Sequence, residues 1–226
     1  MDGKKTLPKI SAARIVASTF GVLAGLGGVT HGIGETLQGN IAPNGIMINS
    51  WTEGPIATNM GGEPAMTIVP NLLVTGVLSI LISLTVLVGA AAFVNRKNGG
   101  LVLILFSIIM LLVGGGFAPP IIGIIAGVAG LGIKAPRASW YQRLPASIRR
   151  FLAGLWPWVF GVCVINGVFL VIGSVILVFF FGMNNPELFV NSFLFAVLSL
   201  LLTVFTGVAY DDRNSERGLV ARTNGV

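Results

Sequence analysis

His31 and Glu35 are the residues best suited to chemistry in this chain, within the run Thr30-His31-Gly32-Ile33-Gly34-Glu35-Thr36. A spacing of four puts both side chains on one face of a continuous helix, within contact distance. A carboxylate beside an imidazole orients the ring, and together they can hold a proton, a cation or a small cationic solute. Gly27, Gly28, Gly32 and Gly34 are expected to weaken the helix here and free carbonyl oxygens as further ligands. Glu63, with Glu53 and Glu187, reads as an acidic mouth on the same side that attracts cations. Asn71, next to Pro70, is expected to face the same mouth. The candidate ligand-binding set is therefore His31, Glu35, Glu63 and Asn71. The plainer alternative is a helix end at the water interface, with a local ion pair and solvated acids.

Other chemistry is sparse. There is no H-E-x-x-H, no phosphate-binding G-x-x-x-x-G-K-[ST] and no G-x-S-x-G, so an enzyme is not expected. One histidine and one cysteine cannot assemble a transition-metal site, and Met47, Met60 and Met66 carry no spacing that would. Cys163, inside an apolar run, reads as a packing residue and excludes an intrachain disulfide. Asn166 reads as a helix–helix hydrogen bond and Asp211-Asp212 as a solvated helix end. No cofactor is identified by these residues.

The elements that must position the candidates are membrane helices. The chain has 226 residues, 54% hydrophobic and only 10% charged, against roughly a quarter charged in soluble domains. Its mean hydropathy is +0.89. This composition excludes a soluble enzyme, a nucleic-acid-binding domain, a disordered chain and a disulfide-stapled secreted module. It leaves an all-α, polytopic membrane helix bundle in a single integral membrane domain. About 20 apolar residues cross a bilayer as a helix. Residues 15–36, 69–94, 156–182 and 188–210 meet that length. The first is expected to stay as an uncleaved helix, since Ser18 and Thr19 interrupt its apolar run and no A-x-A site follows.

Residues 101–133 would form one helix about 50 Å long, against a hydrocarbon core of about 30 Å. Gly114-Gly115-Gly116 and Pro119-Pro120 break that run. A hairpin is expected, with one pass over 101–117 and a short return over 121–133, either crossing twice or dipping in and returning. The basic residues test this independently. Lys4, Lys5, Lys9 and Arg14 precede the first pass, and Arg96 and Lys97 follow the second. Lys134, Arg137, Arg143, Arg149 and Arg150 follow the hairpin, and Arg213, Arg217 and Arg222 follow the last pass. A hairpin puts all fourteen Lys and Arg on one face, as the positive-inside rule requires; a single helix does not. The expectation is six transmembrane helices, both termini cytoplasmic, in the plasma membrane. Residues 37–68 form an outer loop, and 134–151 an inner loop anchored at the headgroups by Trp140 and Tyr141. The net charge of +6 is then an orientation signal, and no nucleic acid is expected as a partner.

Six passes also divide as a 3+3 inverted repeat. Gly21-x-x-x-Gly25 opens one half and Gly123-x-x-x-Gly127 the other. Such repeats carry transporter sites at their interface. The same pairs equally well let helix backbones approach in any membrane bundle, and both readings stand. Two functions follow: a protein that binds or transports a small solute or cation at the outer end of helix 1, or a non-transporting subunit of a membrane complex. In the second, glycine-rich faces pack against a second copy or another membrane protein. In either, the lipid bilayer is the surrounding partner.

Overall fold

The architecture was taken from a computed structural model that describes residues 11–134 and 139–223, with side chains over 11–133 and 141–216. Lys4, Lys5, Lys9 and Arg137, part of the basic pattern, lie outside the described residues, as does the side chain of Trp140. The chain is helical almost throughout, because an apolar backbone in lipid must satisfy its own N–H and C=O groups. Four helical runs, Ala12–Leu37, Leu72–Phe93, Ala146–Phe181 and Pro186–Glu216, are long and apolar enough to cross a membrane. Two shorter ones, Gly99–Leu112 and Ala118–Leu131, are apolar as well.

Helix α1 (Ala12–Leu37) is the central element and packs along most of the other long helices. Ser11 caps its start, accepting from the Arg14 amide at 3.2 Å. The Asp211 carboxylate accepts from the amides of Ala12 and Ala13, at 2.6 and 3.1 Å. Asp212 is buried. The aspartate pair is therefore not a solvated helix end: Asp211 supplies the acceptors that the first amides of α1 lack and sits where the helix dipole favours negative charge.

Residues 38–71 fold into structure of their own. Strand β1 (Met47–Asn49), helix α2 (Gly54–Met60) and strand β2 (Pro64–Met66) form a hairpin in which Met47 faces Met66 and Asn49 faces Pro64. Helix α3 (Leu72–Val88) follows, capped by Asn71, whose Oδ1 accepts from the Val74 amide at 3.1 Å. Its last turn widens into a π turn at Gly89–Phe93. Helices α1 and α3 touch backbone to backbone: a Cβ on Gly32 would sit 2.8 Å from the Gly76 carbonyl oxygen. Only glycine permits that approach, which is the use the sequence makes of its GxxxG-like spacing.

Helix α4 (Gly99–Leu112) and helix α5 (Ala118–Leu131) form the hairpin, turning through Gly114 at φ +95° and Gly116 at φ +76°. Pro119 and Pro120 sit in the first turn of α5, where a missing N–H costs nothing. The break is not free in space. The Gly114 amide donates to Met66 O at 2.9 Å and the Ile68 amide to Leu112 O at 3.0 Å, so β2 is extended onto the turn.

Beyond a short helix α6 (Ser139–Gln142), helix α7 (Ala146–Val168) runs through a π turn, Phe169–Gly173, into helix α8 (Ser174–Phe181). Helix α9 (Pro186–Thr223) then returns alongside α7. Both helices outrun the expected passes, α7 starting ten residues before position 156 and α9 continuing past Tyr210. Hydropathy marks where lipid ends, not where a helix must: α7 runs on through Pro157 in its interior, and no Pro or Gly interrupts α9 just after Tyr210. Tyr141 also departs from the headgroup anchor expected of it. It is buried, and its hydroxyl donates toward Ala209 O at 3.4 Å beneath the Arg149 guanidinium. Burial pushes this phenol above its ordinary pKa.

The apolar core gathers around α1: Val16, Phe20, Leu23, Val86, Met110, Ile122 and Leu200. Trp156 stacks between Phe160 and Tyr210 at 5.3 and 4.5 Å. Cys163 is buried toward α9, and Asn166 donates to Ser192 O at 2.8 Å, a helix–helix bond. The start of α1 meets the ends of α5 and α9, and the start of α4 meets the end of α5. Arg14, Arg96 and Lys97 thus share one end of the bundle, the basic end. Residues 38–71 occupy the other, the loop end.

Candidate functional site

The loop end holds an enclosed polar cluster built from three segments far apart in sequence. The last two turns of α1 supply His31 and Glu35. The helix is unbroken there, contrary to the expectation that its glycines weaken it. Nor are its carbonyls free: Gly27 O accepts from Thr30, Gly32 O from Thr36 and Gly28 O from Ser79. The glycines serve close approach instead. A Cβ on Gly34 would strike Ser50 O and the Trp51 ring, so its absence lets the β-hairpin lie against α1.

That contact brings in Ser50, which spacing alone does not indicate. His31 Nδ1 and Ser50 Oγ lie 2.8 Å apart, and Ser50 Oγ donates to Glu35 Oε1 at 3.0 Å. The expected histidine–glutamate pair is thus bridged by a hydroxyl. Gln38 holds Ser50 in register, its amide nitrogen donating to Asn49 O and Ser50 O at 3.0 and 2.8 Å.

Glu63 arrives from the opposite side of the hairpin. Gly61, Gly62 and Glu63 all have positive φ, +71°, +79° and +52°, a tight reversal after α2. The Ser50 amide donates to Glu63 O at 3.1 Å and the Trp51 amide to Gly62 O at 2.9 Å. This pairing carries the Glu63 carboxylate to 3.7 Å from His31 Nε2.

The α4–α5 turn closes the cluster. A Cβ on Gly114 would fall on the Glu35 carboxylate, and one on Gly116 on the His31 ring. Both glycines are also left-handed, a conformation costly to any side chain. Two independent reasons therefore demand glycine at each position. In the sequence these residues register only as helix breakers.

The result is a linear chain, Glu63···His31···Ser50···Glu35, graded in burial. The Glu63 side chain is 20% exposed, whereas Ser50 and Glu35 are 0% exposed. Glu35 Oε2 has no hydrogen-bond partner among the described residues. A fully buried carboxylate with an idle oxygen needs a proton or a cation to be tolerated. The proton order follows from counting. A serine hydroxyl has one proton; when Glu35 receives it, His31 Nδ1 must donate to Ser50, which leaves Nε2 to exchange a proton with Glu63. When Glu35 carries a proton and donates to Ser50, the serine donates to Nδ1, and Nε2–H points at Glu63. The hydrogen-bonded part, His31–Ser50–Glu35, accommodates two complementary proton arrangements, and Glu63 at 3.7 Å faces Nε2 as an ion-pair partner.

Of the four candidates, His31, Glu35 and Glu63 converge, and Asn71 does not join them. Asn71 is taken up by capping α3 and by a hydrogen bond to Asn40 Oδ1. Glu53 stands at the start of α2 and Glu187 in the first turn of α9, both exposed. Among the described residues no group of three or more His, Cys, Asp or Glu side chains is placed to hold a metal ion. Among known proteins, no family model, no curated sequence and no solved structure matches this chain.

Proposed function

We propose that this chain binds and moves a proton, or a small cation in its place, through the outer end of its first transmembrane helix. The observation that carries the reading is the chain from partly exposed Glu63 to fully buried Glu35, whose second oxygen has no hydrogen-bond partner among the described residues. An ionisable group held at that depth is expensive, and a purely structural subunit has no use for it. Moving a proton along the four groups requires a rotation of the Ser50 hydroxyl, proton shifts at His31, and an approach of the Glu63 carboxylate from 3.7 Å to hydrogen-bond distance of Nε2.

The frame for this function is a six-pass protein of the cytoplasmic membrane with both termini inside. The positions of Arg14, Arg96 and Lys97 at one end of the bundle support that orientation. The 3+3 inverted repeat belongs to the same proposal. Gly21 and Gly25 abut the end of α3 and its π turn within their own half, whereas Gly123 and Gly127 abut α4 of the other half, so the repeat rests on the sequence pattern and not on matching helix contacts. The site would then lie where the α1 end meets the break that joins the two halves.

The test is proton and cation flux into proteoliposomes, followed with an internal pH indicator under an imposed potential. Wild type is expected to acidify or alkalinise the lumen, alone or with a co-supplied solute. Glu35→Gln and His31→Ala are expected to fall to the level of empty vesicles, and Ser50→Ala to retain only a small part of the flux. Wild-type flux that is unchanged in the Glu35→Gln, His31→Ala double variant would overturn the reading. Stoichiometric co-purification of a membrane partner, with no flux in any condition, would favour the assembly subunit instead.

A further inference from the structure

A second site lies at the other end of the bundle and owes nothing to the proton relay. Between the end of α3 and the start of α4 is a cleft of about 560 Å³, walled by Leu84, Val88, Phe93 and Phe106. Its size falls within the range of small-molecule pockets, about 300–1,000 Å³. The π turn at Gly89–Phe93, a distortion that recurs at functional positions, supplies Gly89 and Phe93 to its wall. The sharp turn at Asn98, φ +64°, then starts α4, which leans on α5.

Arg96 and Lys97 stand at the mouth of the cleft. Both are exposed, and neither has a carboxylate partner among the described residues. An apolar slot with two unneutralised cations at one end is complementary to an amphiphile with an anionic head. A free anion would make no use of the walls, and a neutral hydrophobe none of the cations. In a chain of membrane-spanning helices, such a junction of apolar cleft and basic turn falls at the lipid–water boundary.

We infer that this cleft binds an anionic phospholipid, one acyl chain lying along Leu84, Val88 and Phe106 and the phosphate held by Arg96 and Lys97. The lipid would fix the angle between α3 and α4, and α4 leads directly to the turn at Gly114.

The inference is tested with two variants that leave the core intact. Arg96→Gln/Lys97→Gln removes the exposed charges. Gly89→Leu fills the cleft, since a Cβ at Gly89 meets nothing within 4 Å and its φ of −57° suits any residue. Protein purified in neutral detergent is titrated with phosphatidylglycerol or phosphatidylcholine, and with inorganic phosphate as a control. Thermal midpoint and lipid retained in native mass spectrometry are read together. Wild type is expected to retain phosphatidylglycerol over phosphatidylcholine and to gain several degrees in midpoint. The charge variant should need about tenfold more phosphatidylglycerol for the same gain. Gly89→Leu should retain less of either lipid while matching the wild-type midpoint in detergent alone. Equal retention of the two lipids, or an unchanged phosphatidylglycerol response in the charge variant, would overturn the inference. So would a phosphate response equal to that of phosphatidylglycerol.

Discussion

Helix α1 meets a carboxylate at each end, Asp211 of α9 at its start and its own Glu35 near its finish, and the two are handled in opposite ways. At the basic end both oxygens of Asp211 are occupied by the Ala12 and Ala13 amides, where the helix dipole also welcomes negative charge. At the loop end Glu35 receives one bond from Ser50, and its other oxygen has no hydrogen-bond partner among the described residues. The first arrangement is complete and has nothing to exchange. The second is complete only when something arrives. The difference teaches how to tell a structural acid from a working one in an apolar chain: by whether its acceptors are already spoken for, more than by its depth.

The largest effect should come from closing the gap that glycine leaves. Gly114→Val adds a side chain where the Glu35 carboxylate sits, at φ +95°. A loss of about 3–5 kcal/mol of stability is expected from the left-handed backbone and overpacking together, with loss of flux. Thermal unfolding in detergent would read the first and proteoliposomes the second. A stable, active Gly114→Val would mean that the turn does not close over the site.

Asp211→Ala and Glu35→Gln sharpen the contrast between the two ends. Removing the cap should lower stability by about 1–2 kcal/mol and leave flux per folded molecule unchanged. Glu35→Gln should do the reverse, shifting stability by less than about 1 kcal/mol while abolishing flux, because the amide oxygen still accepts from Ser50. If both variants moved the same readout, the distinction between a finished and an open carboxylate would fail.

The smallest effect is expected at Asn71. Asn71→Ala removes the α3 cap and the bond to Asn40, which should cost about 1 kcal/mol with flux unaltered. A selective loss of flux would return Asn71 to the site from which the structure separates it.

Much was legible in local pattern. Apolar runs of span length marked the four long helices, because lipid burial demands that length and composition wherever the segment lies in the fold. Gly114-Gly115-Gly116 and Pro119-Pro120 marked the turn, since no backbone can continue a helix through them easily. The 3.6-residue period put His31 and Glu35 on one face. Helix ends were less legible: α7 and α9 run on past their apolar stretches, and Asp211 looked solvated because its partners are nearly the whole chain away.

The site itself was decided by tertiary structure. Ser50 stands between His31 and Glu35 because a hairpin within residues 38–71 folds back onto α1, a contact no local period encodes. Glu63 reaches His31 because three left-handed residues reverse the chain there. Gly114 and Gly116 close over both because β2 pairs with the helix break. Residue types and helical period set which groups were available to this protein. The long-range backbone pairing, which depends on where distant segments meet rather than on what precedes each residue, decided which of them stand in line.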